Sequence, residues 1–261
     1  MIFYDLFGIE VPNWVLIVAF VLLFVGGGML WWRKTENEEN YIILSDGTKI
    51  KKHNTPIIAS PSLPFDGNVF ATYYAKEMLE YDLEINGDWV CEIVEYYLFK
   101  WATDGIIEVD LDSGEMPIIF KDWEKPLEEL ELELFEVVKK AGVDLFDDDV
   151  HEQYSAWGKK IAKIGEDELL QLAVIAKDSE GVMRFTPSGY KQAVYIKSFD
   201  QFIEEVDFSH EFQLLDEQTQ KQQLGMALLI GATENIEEYV MEHEPTRGLI
   251  KLADDISTIT M

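Results

Sequence analysis

From Val11 to Trp32 the chain carries no charged residue, and Glu10 and Arg33 bound the stretch on either side. About 20 of these positions are apolar, and at 1.5 Å per helical residue they match the roughly 30 Å of a bilayer's hydrocarbon core. Trp14 lies near one end and Trp31 with Trp32 at the other, where aromatic side chains belong at a membrane interface. A cleaved signal peptide fits less well. Residues 1–12 hold Asp5 and Glu10 and no Lys or Arg, and Gly26-Gly27-Gly28-Met29-Leu30-Trp31 is a poor cleavage site. The stretch therefore predicts a transmembrane helix over 13–32, with 1–12 as a short extracytoplasmic N-terminus.

Arg33 and Lys34 follow the span directly, and Lys49, Lys51 and Lys52 come soon after, so the positive-inside rule puts the N-terminus outside and residues 33–261 in the cytoplasm of a single-pass cell-membrane protein. The chain has 21 Lys and Arg against 50 Asp and Glu, a formal charge of -29; removing Asp5, Glu10, Arg33 and Lys34 leaves 19 against 48, the same excess. All of it hangs below an anionic inner leaflet, which repels it within a Debye length of roughly 8 to 10 Å. The same sign excludes nucleic acid as a partner, since phosphate binding draws on Lys and Arg. With 48% hydrophobic and 13% aromatic residues the chain folds despite its charge. One cysteine, Cys91, excludes an intramolecular disulfide and a Cys-based zinc site.

Residues 33–64 read as a linker with a short β-hairpin, Asp46-Gly47 turning between Tyr41-Ile42-Ile43-Leu44 and Thr48-Lys49-Ile50-Lys51-Lys52, then a connector with Pro56, Pro61 and Pro64. Helical periodicity starts at Val69 and ends near Asn86-Gly87. A second helix runs from Asp88, as N-cap, to Asp104-Gly105. A hairpin follows, Ile106–Leu111 with Pro117–Lys121, which completes a winged-helix-like module over 65–123. A comparable order over 124–208 gives a second: helices over Pro126–Ala141, Val150–Ile164 and Glu166–Lys177, a strand at Val182–Thr186, and a helix after Pro187-Ser188-Gly189. Residues 209–261 read as a helical tail. The expected fold class is α+β, mainly α: one transmembrane helix followed by a tandem winged-helix-like cytoplasmic region.

Several phrases resemble the DUF-2207 family of bacterial membrane proteins over residues 60–240. They are Ser60-Pro61-Ser62-Leu63-Pro64 before a helix pair, Phe99-Lys100-Trp101-Ala102-Thr103-Asp104-Gly105-Ile106-Ile107-Glu108, Glu131-Leu132-Glu133-Leu134-Phe135, Thr186-Pro187-Ser188-Gly189 with Ile196–Ile203, and Gln223-Leu224-Gly225-Met226-Ala227-Leu228-Leu229-Ile230-Gly231. The chain departs from that pattern in two ways. Members usually carry a large extracytoplasmic domain before the membrane, which the sequence before Asn13 does not supply, and the family's Leu-Pro-Tyr phrase is Gln223-Leu224-Gly225-Met226 here. The resemblance implies a location and a fold, and no chemistry.

Candidate chemistry is sparse. Asp144–Glu152 is the densest group of ligand-type residues, with Asp147, Asp149 and His151 as weak metal candidates; aspartates ahead of a helix also cap its free N–H groups with no metal. Asp110-Leu111-Asp112-Ser113-Gly114 starts like a calcium loop but fails in register. His53, His151, His210 and His243 lack the spacing of a zinc helix, and no phosphate-cradling loop or nucleophile elbow occurs. Cys91, inside an amphipathic helix, reads as core. No catalysis and no cofactor is inferred. Glu128, Glu129, Glu131, Glu133 and Glu136 decorate one helix, as a solvated face or as a docking face for a basic partner.

The sequence thus predicts a membrane-anchored cytoplasmic protein-interaction module, an adaptor or accessory subunit of an inner-membrane complex, whose partners are the membrane, contacted through Trp14, Trp31, Trp32, Arg33 and Lys34, and a basic or membrane-embedded protein. A membrane-tethered transcription regulator is the first alternative, but the helix from Asp88 to Asp104 carries only Lys100 against Asp88, Glu92, Glu95 and Asp104. The second is a metal-dependent enzyme centred on 144–152.

Overall fold

A computed structural model describes residues 3–6, 9–12, 41–51, 56–81, 90–109, 118–124, 126–142, 148–206, 211–232 and 256. The expected membrane helix over 13–32, with Trp14, Trp31, Trp32, Arg33 and Lys34, lies outside them. Among the described residues no helix is long and apolar enough to cross a membrane. The chain divides into two units, one taking residues 1–43 and 49–55 and the other 44–48 and 56–261.

In the first unit, β1 (Phe3–Leu6) pairs antiparallel with β2 (Ile9–Pro12), a hairpin within the segment that the sequence marks only as a short N-terminus. β3 (Tyr41–Ile43) pairs with β4 (Lys49–Lys51) in an antiparallel hairpin with Asp46-Gly47 in its turn, as expected.

The second unit is mainly helical, with two small hairpins. Asn68 opens α1 (Val69–Tyr81), its Oδ1 accepting the Ala71 N–H at 3.0 Å. Residues 71–77 and 79 are all buried, so α1 is a central helix rather than a one-faced one. α2 (Cys91–Thr103) starts three residues after the predicted Asp88, with Val90 before it and no side-chain cap. β5 (Ile107–Val109) and β6 (Ile118–Phe120) form the first hairpin. α3 (Glu129–Ala141) stops at Gly142, whose φ is +70°.

α4 (Asp148–Gln171) is one continuous helix where the sequence suggests two. Gly165 is the reason both for that difference and for the geometry. A Cβ there would stand 2.6 Å from the Phe70 carbonyl oxygen and 2.7 Å from Tyr74 Cβ, so the glycine lets α4 cross α1 closely instead of ending the helix. Residues 172–177 also leave the predicted helix, and β7 (Ile175–Lys177) pairs with β8 (Met183–Phe185) in a second hairpin. α5 (Pro187–Glu205) follows, then α6 (Glu217–Ile230), whose second half, from Gln223 to Ile230, is buried all round. Asp216 caps α6, and Gly231 ends it in the left-handed region.

The helix-to-hairpin joint occurs twice with the same bonds. Ile106 N donates to the Trp101 carbonyl and Lys121 N to the Ile106 carbonyl; Val174 N donates to Leu169 and Thr186 N to Val174. The positive-φ residue between helix and strand is Gly105 in one copy (φ +76°) and Ala173 in the other (φ +54°). Ala173 carries no glycine signal, which is why helical periodicity extends past the second helix end and into its strand. The helices do not pack copy by copy: α1 lies chiefly on α4, and α2 on α6, where Gly225 brings the backbone up to Tyr96.

Candidate functional site

α3 carries most of the residues singled out for docking, and three anchors fix which way it faces. The Trp157 indole N–H donates to the Leu130 carbonyl at 2.9 Å, tying the start of α3 to α4. The Trp101 indole N–H donates to Glu131 Oε1 at 2.8 Å, and Lys100 Nζ meets the same oxygen. Phe135 sits edge-on between Trp101 at 5.1 Å and Phe120 of the first hairpin at 5.2 Å. Tyr97 extends this aromatic row to Trp157. The row uses up most of the aromatic excess on α2: Tyr97, Phe99 and Trp101 are buried, and Trp89 lies outside the described residues.

Glu131 therefore does not belong to an outward face. It is 8% exposed, inside the core with Leu134, Val137 and Val138. At roughly 100° per residue it sits about 140 to 160° around the helix from Glu129, Glu133 and Glu136, so helical geometry already separates it from them. Glu128, Glu129 and Glu136 are exposed, and Glu133 pairs with Lys160 of α4. Among them stands Leu132, 46% exposed, four residues after Glu128 and four before Glu136. The outward stripe is thus an apolar side chain framed by carboxylates, hidden in the sequence because Leu132 looks like part of the buried Leu series.

The side chains of the metal candidates fall outside what the structure describes. Asp147 lies outside the described residues; positions 149 and 151 fall in the first turn of α4, with side chains outside the described set. Among the described residues no group of three His, Cys, Asp or Glu is placed to hold an ion.

A second charged group has no counterpart among the sequence expectations. Lys76 of α1 is 4% exposed and gives its ammonium to Glu92 of α2 at 2.8 Å, with Glu77 at 3.7 Å and Glu80 at 3.8 Å. Burial raises the Glu77 carboxyl to about 7; Lys76 works against the rise, and Glu92 and Glu80 add to it. Burial alone would lower the Lys76 pKa, but Glu92, Glu80 and Glu77 outweigh it and hold the ammonium above its usual range. Beside them the Cys91 thiol is half-buried and pushed up by burial and by Glu92 and Glu95, which makes it a poor nucleophile.

No family model, no curated protein and no solved structure matches the chain. The family resemblance rests on the sequence phrases alone, and the structure gives two of them a packing role. Thr186 caps α5, accepting the Gly189 N–H at 2.9 Å while its hydroxyl donates to the Ala173 carbonyl at 2.8 Å. A Cβ on Gly189 would fall 1.8 Å from the Val174 carbonyl oxygen, so this position admits glycine alone. In the other phrase, Gly225 seats α6 against Tyr96 and Phe99.

Proposed function

We propose that the chain is a single-pass membrane protein, N-terminus outside, whose cytoplasmic part is a tandem winged-helix-like region serving as a protein-interaction module. The observation that carries this reading is the outward stripe of α3, where Leu132 offers an apolar contact at the centre of Glu128, Glu129 and Glu136. Complementary charge speeds and orients encounter, and a desolvated apolar centre supplies affinity. The partner is a basic or membrane-embedded protein.

The transcription-regulator reading is less well supported. The helices that precede the two hairpins are α2 and α4, and their cations are largely spent on carboxylates. Lys100 is shared by Glu131 and Asp104, Lys160 pairs with Glu133, and Lys163 pairs with Glu166 and Asp167. Little positive charge is left to displace counterions from a phosphate backbone.

Two experiments test the proposal. Alkaline extraction of membranes leaves the full chain in the pellet, and protease added to sealed right-side-out cells spares a C-terminal tag; release by alkali or loss of the tag contradicts the anchor. Affinity capture through that tag recovers a basic partner with wild type and loses it with the combined variant Glu128→Gln, Glu129→Gln, Glu136→Gln, Leu132→Ala, which leaves Glu131 and Glu133 in place. Equal capture by both removes the docking stripe.

A further inference from the structure

We propose that the contact between α1 and the first turn of α2 is a proton-operated clamp, in which the ionisation of Glu77 sets how firmly Lys76 holds Glu92. The geometry supplies one ammonium for three carboxylates. Lys76 Nζ lies 2.8 Å from Glu92, 3.7 Å from Glu77 and 3.8 Å from Glu80, and both Lys76 and Glu77 are more than nine-tenths buried. With all three acids ionised the group carries two uncompensated negative charges around one buried ammonium, and the carboxylate with least access to water is the one driven to take a proton. Glu77 is the one, being the deepest of the three by exposure.

Among the described residues the charged and titratable groups around this cluster are Lys76 and Glu80 on α1, Cys91, Glu92 and Glu95 on α2, Tyr154 on α4, which neighbours Cys91, and Lys197 on α5, whose charge acts on Glu80. Of these contacts, the Lys76 to Glu92 hydrogen bond joins α1 to α2. Neutral Glu77 leaves the ammonium to that bond. Ionised Glu77 competes for the same Nζ and repels Glu92, so the start of α2 loosens. The Glu77 carboxyl titrates at about 7, and Lys76 stays charged throughout that range. Mild acidification thus tightens the joint and mild alkalinisation releases it. This clamp stands apart from the α3 stripe and needs no docking partner.

Cys91, the single cysteine, is the first residue of α2 and reports the state of the joint. The experiment measures the alkylation rate of Cys91 in the full chain between pH 6 and pH 8, divided at each pH by the rate in urea-unfolded chain, which removes the dependence on thiolate fraction. Wild type gains about tenfold protection from pH 8 to pH 6, because the ionised fraction of a carboxyl titrating near neutrality falls from about nine-tenths to about one-tenth over that range. Glu77→Gln is protected at both ends of the range. Wild-type protection that stays flat, or a Glu77→Gln variant that keeps the full pH response, overturns the clamp. Should that variant fail to fold, amide hydrogen exchange of residues 94–97 in wild type, the first amides hydrogen-bonded within α2, corrected for intrinsic rates, decides. Slowing by a similar factor toward pH 6 supports the clamp, and no slowing overturns it.

Discussion

The Trp101 indole nitrogen and Glu131 Oε1 stand 2.8 Å apart in a buried contact between α2 and α3, which holds the one of five neighbouring glutamates that faces inward. Removing the acceptor leaves the indole N–H and the Lys100 ammonium without it. Glu131→Ala is predicted to cost about 2 to 4 kcal/mol in urea unfolding, and Glu131→Gln less, because a buried donor left unmade loses its full hydration energy. Glu129→Gln, on the exposed side of the same helix, stays within about 0.5 kcal/mol of wild type.

Gly165 and Gly189 fill contact points that no side chain can share. A methyl at Gly165 meets the Phe70 carbonyl and Tyr74 Cβ, and one at Gly189 meets the Val174 carbonyl far inside a normal contact distance. Gly165→Ala should destabilise by about 1 to 3 kcal/mol as α1 and α4 move apart. Gly189→Ala should do more, since backbone must move at the joint between hairpin and helix. Circular dichroism melts of the two variants give this order.

The paired joints at Gly105 and Ala173 predict opposite signs for reciprocal changes. Left-handed backbone disfavours a Cβ by roughly 1 to 2 kcal/mol. Ala173→Gly is therefore expected to stabilise by a few tenths to about 1 kcal/mol, reduced by the greater freedom of glycine in the unfolded chain, and Gly105→Ala to destabilise by about 1 kcal/mol. Equal effects of the same sign would contradict equivalence of the two joints.

Stability should also decline from weakly acidic to weakly alkaline pH. Glu77 titrates at about 7 in the fold against 4.5 for an ordinary glutamate, so the fold holds a proton that the unfolded chain has released. Its contribution is fully present below about 4.5 and is lost as pH rises through 7. Asp178 behaves oppositely. Its hydrogen bond from Arg184, with others from Val182 and Glu180, holds it below 3.8, so its contribution is present above that value and is lost on acidification. Urea midpoints of wild type are predicted to fall between pH 6 and pH 8, and Glu77→Gln to remove most of that slope. The difference at pH 8 is roughly 3 kcal/mol, since each pH unit separating the folded from the unfolded titration is worth about 1.36 kcal/mol.

The mainly helical α+β character is legible wherever a local signal matches its local outcome. Asp46-Gly47 turns a hairpin, Gly142 ends α3, and Thr186 and Gly189 open α5. Expectation and structure part where tertiary contact gives a residue another task. Gly165 looks like a helix end and is a crossing point; Ala173 ends a helix in a conformation its side chain does not advertise. Val90 begins α2 without a cap. The inward turn of Glu131 follows from helical angles and is obscured when the glutamates are taken as a run. The outward Leu132 and the Lys76 group depend on which helices meet, α3 on α4 and α1 near α2, and no local spacing encodes that.

The docking stripe is tested most directly by a photo-crosslinking amino acid placed at position 132 in the full chain within intact membranes. One discrete protein adduct is expected at position 132, absent from a control probe at the exposed Tyr195 and lost when Glu128→Gln, Glu129→Gln and Glu136→Gln are combined with the probe. No adduct at position 132, or the same adduct from both positions and from the neutralised stripe, would contradict it.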